Sequence, residues 1–170
     1  MRIPRAVVRV LISCLVVAAC SPPSGELPEG HAAAIRDSVS AFLEDWSAGD
    51  EEGDWQALLD RYADDARFVW TEDGRVRYRS VAEVRDGLKE LGRSFSGMTT
   101  EFVDPVVTPL APGLANVTTR FRTTLRSAET PAVTFGGAMT MTLVRENEGW
   151  RILQGHTSSE RMRELEGGSG

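Results

Sequence analysis

Leu114–Leu125 (LANVTTRFRTTL) decides how the chain is read, because its residues sort into two faces with a period of two, the apolar ones from Ala115 onward all falling on one face. Ala115, Val117, Thr119, Phe121, Thr123 and Leu125 take one face of a strand, and Asn116, Thr118, Arg120, Arg122 and Thr124 take the other. The same period of two extends outward in both directions, over Met98–Thr108, Val133–Arg145 and Trp150–Ser158. Pro109–Gly113, Ser127–Pro131 and Glu146–Gly149 separate these strands. Connections this short make neighbouring strands antiparallel. Gly136 and Gly137 fall inside the third strand, where a bulge or sharp bend is expected.

Upstream of Ser96 the period is helical. Ile35, Val39, Phe42, Leu43 and Trp46 form one apolar stripe of a helix that ends near Gly49. After the acidic break Asp50–Asp54, the residues Trp55, Leu58, Leu59 and Tyr62 mark a second helix. Arg67–Thr71 and Val76–Arg79 flank Asp73-Gly74, the strongest short hairpin signal. Ser80 with Glu83 is a capping box for a third helix bearing Val81, Val84, Leu88 and Leu91. Helices followed by a long meander imply an α+β fold, with three N-terminal helices packed on one face of a curved, mostly antiparallel sheet.

The first nineteen residues do not belong to that domain. Arg2, Arg5 and Arg9 precede a short apolar run that ends in Leu15-Val16-Val17-Ala18-Ala19-Cys20. The run is far shorter than the ~20 residues needed to span a bilayer, so it reads as a cleaved signal. The stretch before Cys20 resembles a bacterial lipobox, which implies a signal peptide at 1–19 and acylation of Cys20. Cys14 lies in the discarded segment, so Cys20 is the one mature cysteine and no intramolecular disulfide can form. Residues 20–30 then form a lipidated start and a Pro/Gly/Ser-rich tether. The domain spans 31–158, and a polar tail spans 159–170. This organisation places the domain in the cell envelope, outside the cytoplasm, held to a membrane by lipid.

Composition narrows the partners. The chain of 170 residues carries 19 Lys plus Arg against 25 Asp plus Glu, a formal charge of −6, and the leader holds three of the Arg. Lys89 is the sole lysine, and no basic cluster is present to neutralise phosphates, so nucleic acid is excluded as a partner. No Gly-rich phosphate loop, nucleophile elbow or Cys motif appears, and no cofactor is implied. His31 and His156 are too far apart in sequence to suggest a metal site without further ligands.

Tyr62-Ala63-Asp64-Asp65-Ala66 after the second helix, the Asp-Gly hairpin, a third helix and the terminal Gly149–Ser158 (GWRILQGHTS) come in a telling order. The chain resembles the NTF2-like superfamily, and within it the SnoaL-like and DUF4440 branch. The resemblance implies a cone-shaped fold with a cavity between helices and sheet, and homodimerisation through the sheet. It leaves function open, since the fold hosts isomerases, cyclases, dehydratases, binding domains and assembly modules. Ketosteroid isomerases share the Tyr62–Ala66 pattern and carry their general base four residues later, which here is Trp70. Their oxyanion tyrosine would fall near Phe42 or Trp46, and neither has a hydroxyl. That machinery is therefore missing.

Strand parity groups His156 with Trp150, Ile152 and Gln154 on the last strand, the face that the resemblance assigns to the cavity. His156 is thus the candidate catalytic residue, as a base, a proton donor or a ligand contact, with a structural imidazole as the other reading. Trp46, Tyr62, Trp70, Arg120 and Gln154 complete the candidate pocket. Arg120 and Arg122 share a strand face and could hold an anion or pair with Glu101 and Asp104. Asp64 and Asp65 read as turn residues. The expected activity is binding of a small, mainly apolar molecule. The alternatives are a cofactor-free lyase, cyclase or isomerase using His156, and a dimerising interaction module of the envelope.

Overall fold

The computed structural model describes residues 27–49, 55–147 and 149–160. The signal peptide, Cys20, most of the tether, the acidic break 50–54 and most of the tail lie outside the described residues. Among the described residues no helix is long and apolar enough to cross a membrane.

The elements follow the order α1 (Glu29–Gly49), α2 (Trp55–Leu59), β1 (Val69–Glu72), β2 (Arg75–Tyr78), α3 (Val81–Ser94), β3 (Gly97–Ala111), β4 (Leu114–Arg126), β5 (Val133–Glu146) and β6 (Gly149–Glu160). Six strands form one sheet in the order β2-β1-β6-β5-β4-β3. All neighbours are antiparallel except β1 and β6, which run parallel. The α+β architecture expected from the change of period is the one observed. It is the NTF2-like cone, helices against the concave face of a curved sheet.

Local chemistry explains most element boundaries. Asp73 (φ 47°) and Gly74 (φ 78°) are both left-handed, as a two-residue hairpin turn of type I′ requires. Asp73 also ties the hairpin to the last strand: its Oδ1 accepts from Ser159 N at 2.7 Å, and its own N–H donates to the Thr157 carbonyl at 3.0 Å. Ser80 caps α3 by accepting from Glu83 N at 3.3 Å. The reciprocal arm of the box lands one residue early, because Glu83 Oε2 accepts from Arg79 N at 2.7 Å.

The core lies between α1, α3 and the inner sheet face. Val39, Leu43, Val117, Met141, Leu143 and Ile152 are fully or almost fully buried. Each such aliphatic side chain stabilises the fold by about 1.5–3 kcal/mol through its removal from water. Trp150 closes one end, its Nε1 donating to Ser38 Oγ on α1 at 3.0 Å.

Four details depart from the sequence reading. The second helix stops at Leu59 instead of running to Tyr62, because the backbone of Arg61–Ala63 is captured by the last strand: Ile152 N donates to Arg61 O at 2.7 Å and Ala63 N to Ile152 O at 2.9 Å. Strand β3 continues through Pro109 to Ala111, so the turn to β4 shrinks to Pro112 and Gly113 (φ 77°). Pro105 and Pro109 are tolerated there because β3 is an edge strand. Third, no register shift occurs at Gly136-Gly137, which pair regularly with Arg122 and Phe121. These glycines instead permit close backbone approach, since a Cβ at Gly137 would stand 2.0 Å from the Ser158 carbonyl oxygen.

The fourth departure moves side chains between faces. Leu143 pairs with Ile152 but Thr142 pairs with Gln154, so Leu153 is an extra residue in β6, a β-bulge. One inserted residue inverts the parity of everything after it. Trp150 and Ile152 face inward as expected, whereas beyond the bulge Gly155 and Thr157 face inward and Gln154 and His156 face out.

Candidate functional site

The site is built on β1 and α3. Trp70 on β1 points inward and is buried, and on the parallel neighbour β6 it pairs with Gly155. The glycine makes room for it: a Cβ at position 155 would lie 2.1 Å from Trp70 Cζ3. Across the hairpin Trp70 pairs with Tyr78, whose hydroxyl reaches Gly87 of α3, where a Cβ would meet it at 2.3 Å. Tyr62 packs edge-on against both Phe68 and Trp70, at centroid distances of 5.8 and 6.0 Å.

Tyr62, Trp70 and Tyr78, with Leu88 and Leu91 of α3, Met98, Leu125 and Phe135, line a cavity of about 460 Å³. Both tyrosines of the chain are in its wall. Polar groups come from both the hairpin, with Glu72 and Arg77, and α3, with Glu90 and Ser94. Two positions along β1 from Trp70 and on the same inward face, Glu72 accepts from Trp70 Nε1 at 3.1 Å, and its other oxygen lies 3.7 Å from Arg77 Nε. Arg77 rests over the Tyr78 ring at 5.4 Å. The Tyr78 hydroxyl first, and the Glu72 carboxylate second, raise the pKa of the Arg77 guanidinium above its ordinary value. An apolar, aromatic chamber with a few convergent polar groups suits a small molecule that is mostly hydrophobic.

Of the residues singled out from sequence, Tyr62 and Trp70 line this cavity. Trp46 does not; it is buried in the core against Phe42 and Phe102, at centroid distances of 6.1 and 5.1 Å. Arg120 lies on the outer sheet face, where its Nη2 donates to Asp104 Oδ2 at 2.7 Å, and Arg122 is paired likewise with Glu101 at 3.2 Å. Gln154 is exposed on that face, its Nε2 reaching the Arg67 carbonyl at 3.5 Å. His156 is exposed beside Thr71 and Thr140, on the side of the sheet opposite the cavity. Strand parity predicts Gln154 and His156 inside, and the bulge at Leu153 is the physical reason that they face outward instead.

Sequence reasoning passes over Glu72, Arg77 and Tyr78, which belong to the strands around the Asp73-Gly74 turn. A usable signal existed for Glu72, since it stands two positions from Trp70 and so shares its face. Another existed for the bulge: Ile152 and Leu153 are adjacent apolar residues in an alternating strand. Asp65 is a turn residue as expected. Its Oδ1 accepts from Arg67 N at 2.7 Å and its Oδ2 from Arg67 Nη2 at 2.7 Å, which lowers its pKa to about 2.

Solved structures share this architecture at low identity. A protein provisionally assigned as a scytalone dehydratase from Novosphingobium aromaticivorans DSM 12444 superposes with a TM-score of 0.70 at 13% identity, over 79% of this chain and 89% of that one. One provisionally assigned as an aromatic ring hydroxylase from the same species gives 0.60 at 18%, over 80% and 93%. An NTF2-like superfamily protein from Salmonella enterica serovar Typhimurium gives 0.58 at 14%, over 82% and 98%. At such identities the likeness concerns the fold. No curated protein sequence matches the chain. The sequence profile of the SnoaL-like domain matches residues 39–162, from the second half of α1 through α2, the hairpin, α3 and the whole meander, and the chain belongs to that family.

Proposed function

We propose that this is an envelope-tethered SnoaL-like domain of the DUF4440 branch whose cone binds a small, mainly apolar molecule. The carrying observation is the cavity of about 460 Å³ walled by Tyr62, Trp70, Tyr78, Leu88, Met98 and Phe135. Burial of an aromatic ligand against these rings drives binding, and Glu72, Arg77 and the tyrosine hydroxyls orient one polar substituent. Acylated Cys20 holds the domain at the membrane, and two copies associate through the outer sheet face. A catalytic role for His156 in this cavity finds no support in its outward position, so ligand binding without turnover is the preferred reading.

A thermal-shift screen of the mature chain against aromatic and alicyclic small molecules tests this. Stabilisation by a subset of them is expected, and it is expected to vanish in Leu88→Trp, which fills the cavity. A screen without stabilising compounds would refute the ligand-binding reading.

A further inference from the structure

The two long helices are held in place differently. Along α1 the residues Ile35, Val39, Leu43 and Trp46 are buried, and the helix lies against β3. The apolar stripe of α3 is Val81, Val84, Leu88 and Leu91, at i, i+3, i+7 and i+10, yet of these only Val84 is buried. Leu88 and Leu91 are half-buried and line the cone, so the second half of this stripe faces a cavity of about 460 Å³ where α1 faces packed side chains.

The bracing of α3 comes chiefly from α2 and β2, through the edges of two rings. Tyr78 of β2 reaches Gly87, where a Cβ would stand 2.3 Å from its hydroxyl, and Trp55 of α2 reaches Gly92, where a Cβ would stand 2.9 Å from Nε1. Two glycines inside one helix also weaken it from within, because glycine loses more backbone freedom on folding than any other residue. The ends are fixed. Ser80 Oγ accepts from Glu83 N and Glu83 Oε2 accepts from Arg79 N at the start, and just past the end Ser96 N donates to the Arg126 carbonyl at 2.8 Å. Among the described residues the ion pairs of α3, Lys89 with Asp86 and Arg93 with Glu90, are internal to the helix and tie it to no other element.

We propose that α3 is the movable wall of the cone: residues 87–94 open by local unwinding between the two fixed ends, admit the ligand and close on it. The proposal rests on the ligand-binding reading of the cone. Segments with few buried apolar contacts open at a fraction of the free energy of global unfolding, and the cavity-facing half of α3 is such a segment. The apolar body of the ligand then supplies packing for Leu88 and Leu91, as the sheet does for the buried face of α1. Because the ligand is held by the closed form, it suppresses opening by mass action.

Amide hydrogen exchange of the purified protein, with and without 1-naphthol, tests the wall. In the free protein, residues 88–94 are expected to exchange about tenfold or more faster than residues 39–46 of α1. With 1-naphthol at about ten times its dissociation constant, exchange of residues 88–94 is expected to slow about tenfold. In Leu88→Trp, which fills the cavity, residues 89–94 are expected to exchange without ligand about as slowly as the native chain does with it. Leu91→Phe takes its place if that variant does not fold. An unmoved Trp70 indole resonance on addition of 1-naphthol would count against the cone as a binding site, and the wall is then judged by the free protein and the cavity-filling variants. Exchange of residues 88–94 as slow as that of residues 39–46 in the free protein would overturn the movable wall. So would an unchanged rate while the Trp70 resonance reports binding, or an unchanged rate in both cavity-filling variants.

Discussion

Gly155 lies directly beneath the ring of Trp70. The two residues pair across the parallel β1–β6 ladder, and a Cβ on the glycine would stand 2.1 Å from Cζ3 and 2.2 Å from Cε3 of the indole. Trp70 is both the inner wall of the cone and the donor to Glu72, so the absence of a side chain at position 155 sets the shape of the cavity.

Gly155→Ala is therefore expected to destabilise the fold by about 1–3 kcal/mol, the usual penalty for overpacking a filled core. Urea denaturation measures it. Because the methyl pushes on the indole, the Trp70 near-ultraviolet signal should change even where the variant remains folded.

Ser38→Ala removes the acceptor for Trp150 Nε1, which lies 3.0 Å from Ser38 Oγ. Leaving a partly buried indole N–H unmet costs about 1–2 kcal/mol, and a matching fall in denaturation midpoint is expected. The double substitution Ser38→Ala, Trp150→Phe should recover part of the loss, since it removes the orphaned donor as well.

Asp65 gives the fold a pH dependence at the acid end. Hydrogen bonds from Arg67 lower its carboxyl pKa from 3.8 to about 2. A folded-state pKa below the unfolded one contributes stability above the unfolded value, and this contribution fades as pH falls from about 4 to about 2. Comparing the pH dependence of urea midpoints for the native chain and Asp65→Asn should show a gap above pH ~4 that closes by pH ~2.

The fold was legible wherever local chemistry dominated. Asp73-Gly74 announces its turn because few residues accept left-handed backbone at two successive positions, and Ser80 with Glu83 announces α3 through capping. The alternation of Ala115 to Leu125 fixes which side of β4 is core. What stayed hidden depends on partners distant in sequence. Tyr62 leaves the helical stripe because Ile152, far along the chain, captures the backbone of Arg61 and Ala63. His156 changes face because of one extra residue, Leu153, and periodicity counted from Trp150 cannot reveal an insertion. Glu72 was hidden differently: its inward face was readable, but the hairpin offered a sufficient explanation for it.

The proposed tether rests on Cys20, which is outside the described residues. Metabolic labelling with a palmitate analogue is expected to mark the chain, and Cys20→Ala is expected to abolish the label and release the domain from membranes. Label retained in Cys20→Ala would remove the anchor from the proposal while leaving the cone untouched.

The cone, not the outer sheet face, is the proposed ligand site. The most direct measurement is the indole N–H resonance of Trp70 during titration with 1-naphthol, an aromatic body with one hydroxyl. A saturable shift of that resonance, abolished in Leu88→Trp and preserved in His156→Ala, is the predicted result. An unmoved Trp70 resonance, or a shift lost in His156→Ala and kept in Leu88→Trp, would contradict it.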